Sequence, residues 1–194
     1  MSQPARKPDH AIHDQFTERW SPRAFADTPV SEAEMKQLFE AARWSPSASN
    51  NQPWRFAYGL RGDASFEQIV AGLKGFNTGW AQKAAALIVV ASAKSVEKDG
   101  EKSPNAWHAF DTGAAWAHLA LQALDMGLVT HAMGGFEAEV LAKSLKLPDD
   151  YEIHAVVAVG HRGDKADLPE ALQAREAPSQ RRPISETVAR GGFV

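Results

Sequence analysis

The chain has 194 residues, of which 44% are hydrophobic and 23% are charged. This length and composition predict one globular domain and exclude a disordered, collagen-like or repeat-fibre protein. Lys and Arg total 21 against 24 Asp and Glu, so the formal net charge is -3 and no general attraction to nucleic acid is expected. The sequence has no cysteine, which excludes disulfides, iron–sulfur clusters and cysteine nucleophiles.

The N-terminus and the apolar runs bear on where the protein acts. The first ten residues lack the apolar core of a signal peptide, and the longest apolar run, residues 84–91, is far shorter than the roughly 20 residues that cross a bilayer. We therefore predict a cytoplasmic protein with no membrane partner. Residues 1–10 are polar and predict a flexible N-terminal arm, which leaves residues 11–194 as a single domain.

The first half of the chain predicts three helices and one strand. A weak helical pattern covers residues 11–19, and a clearer one follows Ser31, where Glu34 completes a capping box. Residues 54–58 predict a short strand. Apolar residues at helical spacing then predict an amphipathic helix over residues 66–73.

The second half predicts two apolar strands and two further helices. Residues 86–91 and 153–159 are rich in Val and Ile, as in strands covered on both faces. A helix over residues 107–126 is apolar on nearly every side, which predicts burial between the sheet and a second subunit and hence a homodimer. Gly134 and Gly135 precede another predicted helix. The alternation predicts a layered α/β or α+β domain.

The common catalytic motifs are missing. No G-x-G-x-x-G follows a predicted strand, and the sequence contains no G-x-x-x-x-G-K-[ST], H-E-x-x-H or G-x-S-x-G. The histidines show no metal-ligand spacing beyond His10 and His13, so we predict no metal site. His108 and Asp111 could meet on one face of a helix, and a structural hydrogen bond is the simpler interpretation of that pair.

Two segments concentrate polar groups suited to a planar, anionic ligand. In the first, Arg19 and Arg23 flank Ser21, and two guanidinium groups can hold a phosphate through charge-assisted hydrogen bonds. A solvated loop with incidental arginines is the simpler interpretation of that composition alone. In the second, Asn50 and Gln52 offer amides that can read the polar edge of a heterocycle. Turn chemistry also explains most of that second segment.

The spacing of these segments resembles that of the nitroreductase family of flavoenzymes. The two motifs are R-x-S-x-R-x-F at residues 19–25 and P-S-x-x-N-x-Q-P-W at residues 46–54. The resemblance continues through Asn77, the pair of glycines at 134–135 and the arginines at 181–182. It implies an α+β fold, an α-β-α sandwich with a central mixed sheet flanked by helices. It also implies an intertwined homodimer with one FMN in each interface cleft.

The resemblance further implies roles for individual residues. Arg19, with Arg181 or Arg182, would grip the FMN phosphate, and Arg23 would approach the polar edge of the flavin ring. The loop over residues 46–52 would come from the other subunit. The FMN-binding residues that the resemblance implies are Arg19, Trp20, Ser21, Arg23, Pro46, Ser47, Ala48, Asn50, Gln52, Asn77, Met133, Gly134, Gly135, Arg181 and Arg182.

The activity implied by the resemblance is ping-pong reduction of nitroaromatics, quinones or similar small electrophiles. NADH or NADPH would deliver hydride to flavin N5, and the acceptor would then use the same pocket. Gly134 departs from the family pattern, because several relatives carry an acidic residue there. Two alternatives stay open: a flavin-binding protein of the same fold with a specialised reaction or a storage role, and a dimeric binding module without a redox cofactor. The short stretch before Pro104 leaves little room for a large lid, which favours a reductase.

Overall fold

A four-stranded sheet forms the centre of the structure, a computed structural model that describes residues 6–193. The strands are β1 (Trp54–Leu60), β2 (Ala86–Ala93), β3 (Ser95–Lys98), β4 (Glu101–Pro104), β5 (Val129–Met133) and β6 (Tyr151–Gly160). The α-helices are α1 (Gln15–Glu18), α2 (Glu32–Arg43), α3 (Ala64–Ala71), α4 (Phe76–Ala81), α5 (His108–Asp125), α6 (Ala138–Ser144) and α7 (Glu170–Gln173). Single 3-10 turns lie at Ala48–Asn50, Lys165–Asp167 and Ile184–Glu186.

The central sheet has the strand order β1-β2-β6-β5, and each of these pairs is antiparallel. The expected mixed sheet is therefore wrong for the part of the chain that the structure describes. The apolar runs of β2 and β6 are compatible with either strand direction, because parallel strands and central antiparallel strands can both be covered on two faces. Here the cover comes from helices on both sides of an antiparallel sheet.

Alternate residues of β2 and β6 face two separate helix layers. Ile88 and Val90 pack in one cluster with residues of α2 and α5, whereas Leu87 and Val89 pack in the other with residues of α3, α4 and α6. This alternation follows from the two-residue period of a strand. The expected α-β-α sandwich is confirmed.

The second helix begins as the sequence predicts. The Ser31 hydroxyl accepts a hydrogen bond from the backbone N–H of Glu34, and the Glu34 carboxylate accepts one from the backbone N–H of Ser31. This capping box satisfies two donors that the first turn leaves free. Met35, Leu38 and Ala42 form the buried face of the helix.

Helix α5 leaves aromatic surface exposed in the single chain. Its inner face, including Ala115 and Leu119, is buried against the sheet. Trp107 and Phe110 at its start remain 58% and 76% exposed, and their rings meet edge to face. An exposed apolar pair of this kind commonly marks a binding or interaction surface. No helix among residues 6–193 combines the length and apolar character needed to cross a bilayer.

The sequence did not predict helix α4, helix α7 or the strands β3 and β4. Helix α4 is short, and β3 and β4 form an exposed hairpin whose turn at Asp99 and Gly100 has positive φ. The hairpin is rich in charged residues and lacks apolar alternation, so no periodicity marked it. It occupies the short stretch before Pro104.

The N-terminal residues that the structure describes make specific contacts. The Arg6 guanidinium donates to the backbone carbonyl of Thr17 in α1 and to that of Arg19 just after it. The carboxylate of Asp9 accepts from the backbone N–H of Ile184 at 2.7 Å. These contacts place residues 6–10 between the first motif and the C-terminal tail. The rest of the predicted arm, residues 1–5, lies outside the described residues.

Candidate functional site

The first motif follows the β5 edge of the sheet. Helix α1 ends just before Arg19, and Phe25 pairs with Arg162 immediately beyond β6. Between these points the carbonyl of Pro22 accepts a hydrogen bond from Nδ1 of His131 at 3.0 Å. The motif is thereby held as an extended segment with its side chains beside β5.

Five arginines line one cavity of about 360 Å³ at this edge. None of the described residues that line it is a carboxylate. The lining residues are Arg6, Arg19, Trp20, Ser21, Arg23, His131, Arg175, Ala177, Ser179 and Arg181. Burial, and then the nearby Arg181 charge, lower the pKa of Arg19. This excess of crowded cations is suited to an anion with at least two negative charges.

Arg23 is the most constrained of these arginines. Its backbone N–H and that of Ala24 both donate to one carboxylate oxygen of Glu176, at 2.7 and 2.9 Å. Its guanidinium lies 4.0 Å from the other oxygen and stands over the Trp80 ring at 5.9 Å. Its Nε is buried without a hydrogen-bond partner among the described residues. Buried donors without a hydrogen-bond partner are uncommon in folded proteins.

The structure separates the two C-terminal arginines. Both arginines line the neighbouring cleft between the N-terminal segment and the tail, but of the two only Arg181 also lines the arginine cavity. The sequence left open which of them would contact a phosphate. Their placement favours Arg181.

Asn77 and Gly135 meet near the end of β5. The Asn77 amide donates to the carbonyl of Gly135 at 3.3 Å, and a Cβ at Gly135 would lie 2.6 Å from that amide nitrogen. Gly134 is exposed and a Cβ there would meet nothing within 4 Å. The side chain of Met133 lies in the buried core. Any contact of Met133 with a ligand would therefore come from its backbone.

The second motif forms a tight loop with unusual backbone geometry. Ser49, Asn50 and Gln52 all adopt left-handed φ angles, of 51°, 56° and 48°. Such conformations cost roughly 1–2 kcal/mol each for a non-glycine residue and concentrate at functional sites. The Ser47 hydroxyl closes the loop by accepting from the Gln52 N–H at 3.0 Å. Of the other predicted residues in this loop, Pro46 is exposed and Ala48 half-buried.

The buried carboxylate of Asp111 supports this loop, and the sequence did not predict that contact. Oδ2 of Asp111 accepts from the backbone N–H of Ala48 at 3.1 Å, and Asp111 is 4% exposed. The predicted partner of Asp111, His108, instead contacts the Ser92 hydroxyl at 2.7 Å, and His154 contacts the same hydroxyl. These partners are identified only by the packing of α5 against the loop at Ala48 and against β2.

The two motifs lie at diagonally opposite corners of the sheet. The first ends where Phe25 pairs with Arg162, just beyond β6, and it lies against the edge strand β5. The second leads into the other edge strand, β1, whose first residue Trp54 pairs with Ser92. Ser92 in turn pairs with Glu152 near the start of β6. Along the strand direction, the two motifs are therefore separated by most of the length of β6, about 25 Å.

The burial of His131 predicts a pH-dependent stability. Burial lowers the pKa of His131, so the folded state keeps this imidazole neutral while the unfolded state takes up a proton below about pH 6.5. We expect the melting temperature to fall as the pH decreases from 7 to 5. Thermal denaturation of His131→Gln should show a smaller decrease over that range. Burial also lowers the pKa of His154, so part of the decrease should persist, and an identical pH dependence in the variant would contradict the assignment.

Comparisons with known proteins agree with this architecture. The sequence model of the nitroreductase family matches residues 16–161. An uncharacterized 15.4 kDa protein of Mycolicibacterium smegmatis is 38% identical over 143 residues, which are 70% of this chain and 93% of the relative. An Archaeoglobus fulgidus protein named "Putative NADH dehydrogenase/NAD(P)H nitroreductase" is 27% identical over 157 residues, 79% of this chain and 86% of the relative.

A solved structure gives the same result for the fold. It is described as an oxidoreductase containing FMN, is 38% identical to this chain, and superposes with a TM-score of 0.95. The match covers 100% of this chain and 99% of that one. The chain therefore belongs to the nitroreductase family and is an oxidoreductase.

Proposed function

We propose that the protein is an FMN-dependent oxidoreductase that uses NADH or NADPH to reduce nitroaromatics, quinones or similar small electrophiles. The observation that carries the proposal is the cavity with five arginines and no carboxylate among its described lining residues. A flavin nucleotide supplies the anionic group that this cavity fits. The relative that contains FMN and the relative named after NAD(P)H support the choice of cofactor and reductant.

The residues of the arginine cavity would hold the two ends of the cofactor differently. Arg19 and Arg181 would bind the phosphate, because both lie at the crowded cationic part of the cavity. Arg23 would lie at the polar edge of the ring, held there by Glu176 and Trp80. When bound, FMN supplies a two-electron carrier that takes hydride from a nicotinamide and passes it to an acceptor. A fixed guanidinium stabilises negative charge that develops beside it.

Asn77 and the two glycines, none of which lines the arginine cavity, would form a further wall of the flavin site. A side chain at position 135 would displace the Asn77 amide from its contact with the Gly135 carbonyl. Open space at Gly134 leaves room for a second ring to approach. A backbone wall of this kind permits a planar ring to stack closely.

The protein would act as a homodimer. The two motifs lie at opposite corners of one sheet, and the strained loop over residues 46–52 contributes nothing to the lining of the arginine cavity. A second copy could bring its loop to the arginines of the first. The exposed Trp107 and Phe110, together with the exposed residues 181–193, supply surface for such a contact.

Absorption spectroscopy of the purified protein tests this function directly. After addition of FMN and removal of free flavin, we expect bound flavin absorbance that bleaches when NADH or NADPH is added without oxygen. Bound flavin that neither nicotinamide reduces would favour the storage or specialised-reaction alternative. A protein that retains no flavin after reconstitution would favour the binding module without a redox cofactor and would refute the proposal.

A further inference from the structure

Arg6 belongs to the arginine cavity although it lies outside both sequence motifs. Its Nη1 donates to the backbone carbonyls of Thr17 and Arg19, at 3.0 and 2.6 Å. Its Nε is buried and has no hydrogen-bond partner among the described residues. Two carbonyls thus orient the guanidinium while its Nε–H stays without a partner among the described residues.

The charges around Arg6 match this placement. Burial lowers the pKa of Arg6, and the nearby Arg181 and then Arg19 lower it further. Three guanidinium groups therefore stand within electrostatic reach of one another, and no carboxylate lies among the described residues that line their cavity. An anion bound between them would replace this repulsion with charge-assisted hydrogen bonds.

A second contact brings the two ends of the chain to the same cavity. The carboxylate of Asp9 accepts a hydrogen bond from the backbone N–H of Ile184, three residues after Arg181. The segment that carries Arg6 is therefore tied to the tail that carries Arg181. Both arginines lie outside residues 16–161, the range that the family model matches.

We propose that Arg6 completes a three-guanidinium clamp, with Arg19 and Arg181, that binds a phosphate monoester. The identity of that ligand as a flavin nucleotide rests on the proposed function. The anion site itself rests only on the geometry of the three arginines. Inorganic phosphate can therefore test the clamp without flavin.

The test uses the full chain and the variants Arg6→Gln and Lys7→Gln. Gln removes the charge and is too short to keep both contacts of Nη1, so the comparison of FMN with riboflavin separates the effect on the phosphate from any effect on the backbone. Lys7 is the matched control, because it loses the same charge at the neighbouring position and does not line the arginine cavity. Dissociation constants are measured for FMN and for riboflavin, which lacks the phosphate. The thermal shift produced by inorganic phosphate is measured on the protein without flavin.

We expect Arg6→Gln to weaken FMN binding about 10- to 100-fold, as for loss of a charged hydrogen-bond donor, with riboflavin binding changed less than about 2-fold. The variant should also lose most of the phosphate-dependent rise in melting temperature. Lys7→Gln should match the wild type in all three measurements. Arg6→Gln should also reduce the dependence of FMN affinity on salt concentration.

The other outcomes separate the two proposals. Equal weakening of FMN and riboflavin would show that Arg6 only supports the backbone, and would overturn the clamp, as would unchanged FMN binding. A wild-type protein that binds no flavin, yet is stabilised by phosphate in an Arg6-dependent way, would refute the flavin function and support the clamp. No response of the wild type to either ligand would overturn both.

Discussion

Arg23→Ala is expected to lower the rate of anaerobic flavin reduction by NADH or NADPH about 10- to 100-fold, or about 1.4–2.7 kcal/mol in the activation barrier. The reduced ring carries negative charge at its polar edge, and a guanidinium fixed there stabilises that charge. The Arg23 guanidinium lies 4.0 Å from the Glu176 carboxylate and 5.9 Å from the Trp80 ring centroid, and both contacts restrict its position. Stopped-flow absorbance of the reconstituted protein measures the rate, and the flavin midpoint potential should become more negative.

Two companion variants make this result specific. Arg23→Lys keeps the charge and should recover part of the rate and of the potential. Arg43→Ala removes an exposed guanidinium that pairs with Glu40 on α2 and does not line the arginine cavity. It should leave both measurements unchanged. A normal rate and potential in Arg23→Ala would remove Arg23 from the proposed ring site.

Gly59→Ala should cause the largest loss of stability among single-methyl additions to the chain. A Cβ at Gly59 would lie 2.1 Å from the backbone nitrogen of Phe66 and 2.6 Å from the carbonyl carbon of Ser65. These atoms belong to the first turn of α3, so relief requires the helix to move away from β1. We expect a loss of about 3 kcal/mol or more, and a melting temperature lower by roughly 10 °C.

Gly79→Ala is the matched control for this methyl group. Gly79 is exposed in helix α4, and a Cβ there would meet nothing within 4 Å. Because alanine favours a helix over glycine, this variant should gain up to about 1 kcal/mol. Similar melting temperatures for the two variants would contradict the close packing of α3 on β1.

Local signals in the sequence predicted several elements well. The capping box at Ser31 and Glu34 marked the start of α2, because its hydrogen bonds form between residues three apart. The Val- and Ile-rich runs marked β2 and β6. The local sequence does not show in which direction two strands pair, and for this reason the expected mixed sheet was wrong and the sheet is antiparallel. The hairpin of β3 and β4 was not predicted because its sequence is rich in charged residues and has no apolar alternation.

The residues of the candidate site were likewise predicted only in part. Arg19, Ser21, Arg23 and Arg181 were candidates from the sequence, and the structure places them around one cavity. Met133 was also a candidate, but its side chain packs in the core.

The sequence by itself determined the family motifs, the helical and apolar patterns, and the residue types able to hold an anion. These properties depend on neighbours within a few positions of the chain. Only the tertiary structure decided that Arg6 and Arg181 share a cavity, that Asp111 supports the loop at Ala48, and that the two motifs occupy opposite corners of the sheet. Those relations join residues far apart in sequence, and they arise only when strand pairing and helix packing bring the segments together.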